Sequence, residues 1–274
     1  MKPILTRPNL PRLAALAQTR LLLAFDFDGT LAPIVARPAA AEMRPSTRAL
    51  FRTLVGHYPV AVITGRARTD VVRRLPDVSG LQIIGNHGIE LWRGANTASI
   101  DVRRWLRVVR PLLAHVQGVA LEDKGHSFAV HYRRSHNKVA TMRTIRGALG
   151  RLTGVRVVHG KQVFDVLPVG QANKGTALHR LRISLGCTTA LYVGDDTTDE
   201  DVFRLAPRGE VLTIRVGRSL GSAAAYYIPR QARIDDLLDH LIRLREAFSS
   251  PETPAQVGAV TLVRLASRML RERP

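Results

Sequence analysis

Two apolar runs in this chain end in acidic clusters. Leu21 to Phe25 leads into Asp26-Phe27-Asp28-Gly29-Thr30, and Ala190 to Val193 leads into Gly194-Asp195-Asp196-Thr197-Thr198-Asp199-Glu200-Asp201. Carboxylates gathered at the ends of buried strands repel one another by about 1 kcal/mol per pair even at water's dielectric, and by more once water is excluded. A cation must therefore join them. The donors on offer are oxygens and no Cys/His set accompanies them, which selects a hard divalent ion, Mg2+, over zinc.

Strand-like runs at Leu21 to Phe25, Val60 to Ile63 and Leu81 to Gly85 alternate with helical patterns, one of them opened by Ser46. The alternation returns after residue 170 as a helix over Lys174 to Leu185, a strand over Ala190 to Val193, a helix over Asp199 to Leu205 and a strand over Val211 to Val216. This order predicts an α/β fold, a parallel sheet covered by helices, and such sheets bind ligands beyond the carboxyl ends of their strands. Asp26, Thr64, Asn86 and Asp195 are all placed there. Between about 104 and 168 the texture changes to a strand, strand, helix, strand, strand unit: Val119 to Asp123, Ser127 to Tyr132, a helix near Val139 to Leu152, Val155 to His159 and Gln162 to Leu167.

The Asp-x-Asp-Gly-Thr start, Thr64 in Ile63-Thr64-Gly65-Arg66, Lys174 in Asn173-Lys174-Gly175 and the Gly-Asp-Asp-x-x-Asp run resemble the four motifs of the haloacid dehalogenase (HAD) superfamily, in order and in spacing. The resemblance implies a HAD-like Rossmannoid parallel sheet core over 20–103 and 169–248. An inserted α/β cap of the C2B type over 104–168 would set substrate specificity, and 1–19 and 249–274 would be terminal extensions. It also assigns roles. A metal-bound Asp26 carboxylate is ionised at neutral pH and suited to attack phosphorus. Asp28 is placed to protonate the leaving oxygen and then deprotonate water. Thr64 and Lys174 suit the equatorial phosphoryl oxygens. Asp26, Asp195 and the backbone carbonyl of Asp28 would bind Mg2+, with Asp196 and Asp199 behind them.

Within the superfamily the resemblance is to trehalose-6-phosphate phosphatases. It is carried by Gly85-Asn86-His87-Gly88-Ile89-Glu90, by Leu121-Glu122-Asp123-Lys124-Gly125 with His131-Tyr132-Arg133, and by Gly160-Lys161-Gln162-Val163-Phe164-Asp165-Val166-Leu167-Pro168. It implies that Glu122, Lys124 and Asp165 grip sugar hydroxyls from the cap. Asp165 stands where that family usually has Glu. Gly65, Arg66, Asn86, His87 and Arg133 complete the expected substrate-binding set. His87 and His131 are given supporting roles, and Arg66 and Arg133 either face phosphate or are solvated. The implied reaction is hydrolysis of trehalose 6-phosphate. Phosphatases for sucrose 6-phosphate or a glycosylglycerate phosphate, a phosphomutase, and a basic binding protein with a vestigial site are the alternatives.

The chain's 274 residues carry a net charge of +19, nearly all of it from arginine, because lysine occurs only at Lys2, Lys124, Lys138, Lys161 and Lys174. Arginine serves as well as lysine on a solvated surface, whereas a compact mobile ammonium can come only from lysine. Lys124, Lys161 and Lys174 all fall in motif-bearing segments. The basic field attracts anions such as phosphate esters, but no RNA-binding aromatic signature or zinc-finger spacing points to specific nucleic-acid recognition. No apolar stretch approaches a membrane span and the N-terminal segment is interrupted by prolines, so the expectation is a cytoplasmic protein. The lone Cys187 permits no intrachain disulfide. A monomer is expected, with the tail pattern of Leu262, Val263, Ala266, Met269 and Leu270 against Arg264, Arg268 and Arg271 either docked on its own core or available to a partner.

Overall fold

The computed structural model describes residues 1–90, 102–207 and 209–249. In chain order the elements are β1 Lys2–Pro3, α1 Leu10–Ala17, β2 Leu21–Phe25, α2 Pro45–His57, β3 Val60–Ile63, α3 Arg68–Val72, β4 Gln82–Ile84, α4 Val102–Leu113, β5 Ala120–Asp123, β6 Phe128–His131, α5 Lys138–Leu149, β7 Val155–Gly160, β8 Val163–Pro168, α6 Lys174–Ser184, β9 Thr189–Gly194, α7 Glu200–Leu205, β10 Val211–Val216, β11 Tyr226–Ile228 and α8 Ile234–Ser249.

A parallel sheet of order β1-β11-β10-β9-β2-β3-β4 forms the core. A strand covered on both faces must be apolar throughout, and β2 is buried at every position. Its residues divide between two layers. Leu21, Leu23 and Phe25 join Val60, Val62, Leu191 and Val193 beneath α1, α2 and α8. Leu22 and Ala24 join Ala61, Ile63, Ala190 and Tyr192 beneath α6 and α7. Phe25 pairs with both Val62 of β3 and Val193 of β9, so the three strands end level with one another. That register brings Asp26, Thr64 and Asp195 to one edge. Among the described residues no helix is long and apolar enough to cross a membrane.

The second sheet, antiparallel and of order β5-β6-β8-β7, carries α4 and α5 on one face. Side chains alternate across a strand, and here the alternation divides packing from chemistry. Phe128, Val130, Phe164 and Val166 pack under the helices, while Glu122, His131, Val163 and Asp165 line a cavity on the other face. Ala129 pairs with both Glu122 and Asp165, so a small residue separates the two acids.

The structure corrects two expectations. Residues 1–19 are not an extension: β1 pairs in parallel with β11, and α1 contributes Leu10, Leu13, Ala14 and Ala17 to the core. A two-residue strand is too short to show periodicity. The cap unit also gains a helix, α4, whose buried Val102, Leu106, Val109 and Leu113 recur at helical spacing between arginines. It begins before residue 104. The expected pattern in the C-terminal tail lies outside the described residues.

Candidate active site

The Asp-x-Asp turn is shaped to receive the second acidic segment. Gly29 has φ +82°, and a Cβ there would sit 2.2 Å from Asp195 Oδ2, so only glycine lets the two segments approach this closely. Carboxylate oxygens of Asp26, Asp195 and Asp199 consequently lie within 4.8 Å of one another. Asn173 caps α6 in a reciprocal arrangement with Thr176, which fixes Lys174 at the first helical position. From there Lys174 Nζ donates to Asp26 Oδ1 and Asp199 Oδ1, at 2.8 Å each. Asp199 is fully used: its Oδ1 also accepts from Tyr192 Oη at 2.7 Å, and its Oδ2 accepts from the backbone N–H groups of Asp195 and Asp196 at 2.8 Å. It therefore fixes Lys174 and the turn.

Asp195 is different. Its Oδ2 accepts from Lys161 Nζ of the β7–β8 turn at 2.5 Å, but its Oδ1 is buried with no hydrogen bond from the described residues. Burial, followed by the charge of Asp199, lifts its carboxyl to about 7. Burial also lifts Asp26 well above the ordinary range, with Asp199 and Asp195 adding to the rise and Lys174 opposing it. For Asp199 burial acts upward, yet the Lys174 ammonium and its donated hydrogen bond hold the carboxyl below its usual value. Three carboxylates against two ammonium groups, an orphaned buried oxygen and an all-oxygen donor set fit a hard divalent cation.

Thr64 is buried at the end of β3, and its Oγ1 accepts from the Arg66 backbone N–H at 3.2 Å, leaving its own O–H to donate inward. Asp28 stands apart from the carboxylate cluster. Arg66 grips it as a two-pronged fork, Nε to Oδ2 at 2.6 Å and Nη2 to Oδ1 at 2.7 Å. Arg66 is therefore neither solvated nor free to face phosphate.

A cavity of about 530 Å³ joins these residues to the cap; Asp26, Asp28, Thr64, Gly65, Lys174 and Asp195 line it from the core. Glu122, Lys124, Arg133 and Asp165 line it from the cap. Lys124 Nζ donates to Asp165 Oδ1 at 2.8 Å and to the Gly65 carbonyl at 3.0 Å. Against the effect of burial, Lys124 and then His87 hold Asp165 well below the usual carboxylate range. His87 Nε2 lies 3.5 Å from Asp165 Oδ1, an electrostatic contact without hydrogen-bond geometry, and burial pushes its pKa down. Glu122 Oε2 pairs with His131 Nε2 at 2.7 Å, a bond that holds Glu122 low. Arg133 donates to the carbonyl of Val35.

The trehalose-phosphatase family profile matches residues 24–223 of the chain. This protein belongs to that family. It is 35% identical over 202 residues to a trehalose-phosphate phosphatase of Mycolicibacterium paratuberculosis, covering 68% of this chain and 51% of the relative. The chain thus spans about half the length of that relative. Trehalose 6-phosphate phosphatase RA3 of Zea mays is 27% identical, over 86% of this chain and 74% of its own. Among solved structures, a trehalose-6-phosphate phosphatase of Aspergillus fumigatus is 26% identical with a TM-score of 0.59, covering 90% of this chain and all of that one (100%). The C-terminal domain of the Candida albicans trehalose-6-phosphate phosphatase, at 22% identity, shares the fold with a TM-score of 0.73 over 90% of this chain and 98% of its own.

Against the expected site, this trehalose-phosphatase family member differs at two residues. Asn86 does not line the cavity: its side chain spans core and cap, donating to the Lys124 carbonyl at 3.0 Å and accepting from Ser127 Oγ at 2.7 Å. Asp196 meets Asp199 through its backbone N–H, while its carboxylate lies against Gly160 of the cap. Sequence reasoning missed Lys161 as a site residue, although its place among five lysines was a signal. The partners Tyr192 and Ser127 left none.

Proposed function

We propose that the protein is a Mg2+-dependent phosphatase that hydrolyses trehalose 6-phosphate to trehalose and inorganic phosphate by way of a phosphoryl group carried on Asp26. The observation that carries this reading is the cavity itself, which presents phosphoryl-handling groups, Asp26, Thr64 and Lys174, opposite hydroxyl-handling groups, Glu122, Lys124 and Arg133. A disaccharide monophosphate needs both ends. The reading includes a cytoplasmic location and a small-molecule sugar phosphate as partner.

Asp26 and Asp195, with the backbone carbonyl of Asp28, would hold the cation, which when bound neutralises the crowded carboxylates and the charge of the phosphate. The Asp26 carboxylate attacks phosphorus, the bond from phosphorus to the sugar oxygen breaks, and that oxygen leaves with the electron pair and takes a proton from Asp28. Water then attacks phosphorus, gives its proton to Asp28 and displaces Asp26 as a free carboxylate. Lys174 and the Thr64 hydroxyl stabilise the equatorial oxygens without reorganising, since Asp199 and the sheet already fix them. Asp165, spent on Lys124, acts through that lysine, which favours a second reading with broader acceptance of related sugar phosphates.

Phosphate release from trehalose 6-phosphate, sucrose 6-phosphate and 4-nitrophenyl phosphate, each with Mg2+ and with chelator, tests the proposal. Trehalose 6-phosphate should be the best substrate and chelator should stop the reaction. Turnover of sucrose 6-phosphate with none of trehalose 6-phosphate would refute the substrate and keep the phosphatase class.

A further inference from the structure

The most heavily tethered side chain at the cavity wall is Arg66. Its Nε and Nη2 engage both oxygens of Asp28, Nη2 also donates to the Pro38 carbonyl at 2.8 Å, and Nη1 donates to Asp70 Oδ2 at 2.6 Å. Asp70 is held from behind by Arg74 Nη2 at 2.8 Å, and Arg74 in turn ties down the carbonyls of Ala39 and Ala41 at 2.8 and 3.0 Å. The guanidinium carbon also lies 5.6 Å from the centre of the Phe27 ring. With its side chain only 12% exposed and four N–H groups committed, Arg66 has little left for a substrate. The Asp28 carboxylate, at 39% exposure, keeps one side toward the cavity, and the hydrogen bonds it accepts come from Arg66 alone among the described residues.

We infer that Arg66 is the positioning residue for the proton-transfer group, Asp28. The inference rests on the phosphatase reading above. With both of its oxygens accepting from Arg66, Asp28 must open one of these bonds before it can pass a proton to a ligand. Opening either contact releases one Arg66 N–H, the Nε–H from Oδ2 or one of the two Nη2 N–H groups from Oδ1, while the other contact, with the Pro38 and Asp70 bonds, keeps the guanidinium in place. Asp28 therefore turns about the contact that remains, presenting the released oxygen to the sugar oxygen in the first half-reaction and to water in the second. Because the N–H groups of Arg66 are spent on Asp28, Asp70 and Pro38, its removal should misplace the proton without loosening the substrate.

Kinetics of Arg66→Met and Arg66→Lys test this, with trehalose 6-phosphate, whose alkoxide must be protonated, and 4-nitrophenyl phosphate, whose phenolate need not be. Arg66→Met should lower kcat on the sugar ester by about 100-fold or more, the scale of a general acid's contribution. KM should stay within about threefold, and the loss on the aryl ester should be about tenfold or less, since no proton is required there. Arg66→Lys keeps a cation but loses the fork, so its kcat should fall between those of the native chain and Arg66→Met. If Arg66→Met does not fold, as judged by urea unfolding, the lysine variant carries the test. Adding either change to Asp28→Asn should cost less than about threefold more, because the two residues act as one unit.

A raised KM with equal losses on both esters would make Arg66 a phosphate ligand and overturn the inference, as would multiplying losses in the double variant. If the native chain hydrolyses a different sugar ester, the substrate reading falls, and the same comparison on that ester still decides Arg66. If Asp28→Asn shows no leaving-group dependence, both the acid role and the positioning role are lost.

Discussion

Replacing Asp195 by Asn probes the charge crowding on which the cation argument depends. In the cation-free protein the Asp195 carboxyl is lifted from 3.8 to about 7, chiefly by burial. Between those values the folded chain holds a proton that the unfolded chain has released, so stability declines as pH rises from about 4 to about 7. Three pH units at about 1.4 kcal/mol each give a loss on the order of 4 kcal/mol by neutral pH. The Asn variant escapes this loss. It forfeits the contact with Lys161, but that lysine side chain is 51% exposed. An ion pair so open to water contributes at most about 1 kcal/mol. In chelator at pH 8, urea unfolding should therefore find Asp195→Asn more stable than the native chain by about 2–4 kcal/mol, with the difference falling within about 1 kcal/mol at pH 4.5. Mg2+ at a hundred times its Kd should return about 2.7 kcal/mol to the native chain at pH 8 and almost nothing to the variant. A variant no more stable than the native chain at pH 8 in chelator would refute the reasoning.

Asp26→Asn should abolish phosphate release while leaving the far-ultraviolet circular dichroism unchanged; near-native turnover would remove Asp26 as the nucleophile. Lys124→Ala should cut kcat/KM for trehalose 6-phosphate by about 100-fold or more and that for 4-nitrophenyl phosphate by under tenfold, because the disaccharide alone reaches the cap; matched losses would take Lys124 out of recognition. Asp165→Glu should narrow selectivity toward trehalose 6-phosphate, since the longer side chain reaches beyond Lys124, and an unchanged ratio against sucrose 6-phosphate would count against that. Asn86→Ala unpairs Ser127 and the Lys124 carbonyl, which should cost about 1–3 kcal/mol in unfolding. It should also speed proteolytic cleavage between core and cap, and unaltered cleavage would show that the joint is held elsewhere.

The sequence announced what depends on local pattern. Leu21 to Phe25 is apolar at every position because both of its faces are covered, and the residue after it had to lie at a strand end. The start of α6 at Lys174 follows from the Asn173 cap. The spacing accordingly puts Asp26, Thr64, Asn86 and Asp195 beyond strand ends, and the register brings Asp26, Thr64 and Asp195 to one edge. What stayed hidden is side-chain partnership between distant segments. Nothing near Arg66 says that it grips a carboxylate 38 residues earlier, or near Asn86 that it reaches 38 residues forward to the cap. Helix α4 was hidden for another reason: its four buried positions are interleaved with arginines in a chain rich in arginine throughout.

The joint between core and cap has a consequence for redesigning selectivity. Asn86, Lys124 and Arg133 all reach across to backbone carbonyls, those of Lys124, Gly65 and Val35. A carbonyl survives replacement of the side chain beside it, so the receiving end of each contact tolerates sequence drift while the donating end does not. Lys124 serves both the joint and the sugar pocket, and any change there disturbs alignment and recognition together. Among the described residues Glu122 is bonded only within the cap, to His131. Variation at Glu122 and His131 can reshape the sugar pocket while the hinge geometry stays as it is, and libraries aimed at new sugar phosphates should begin with that pair.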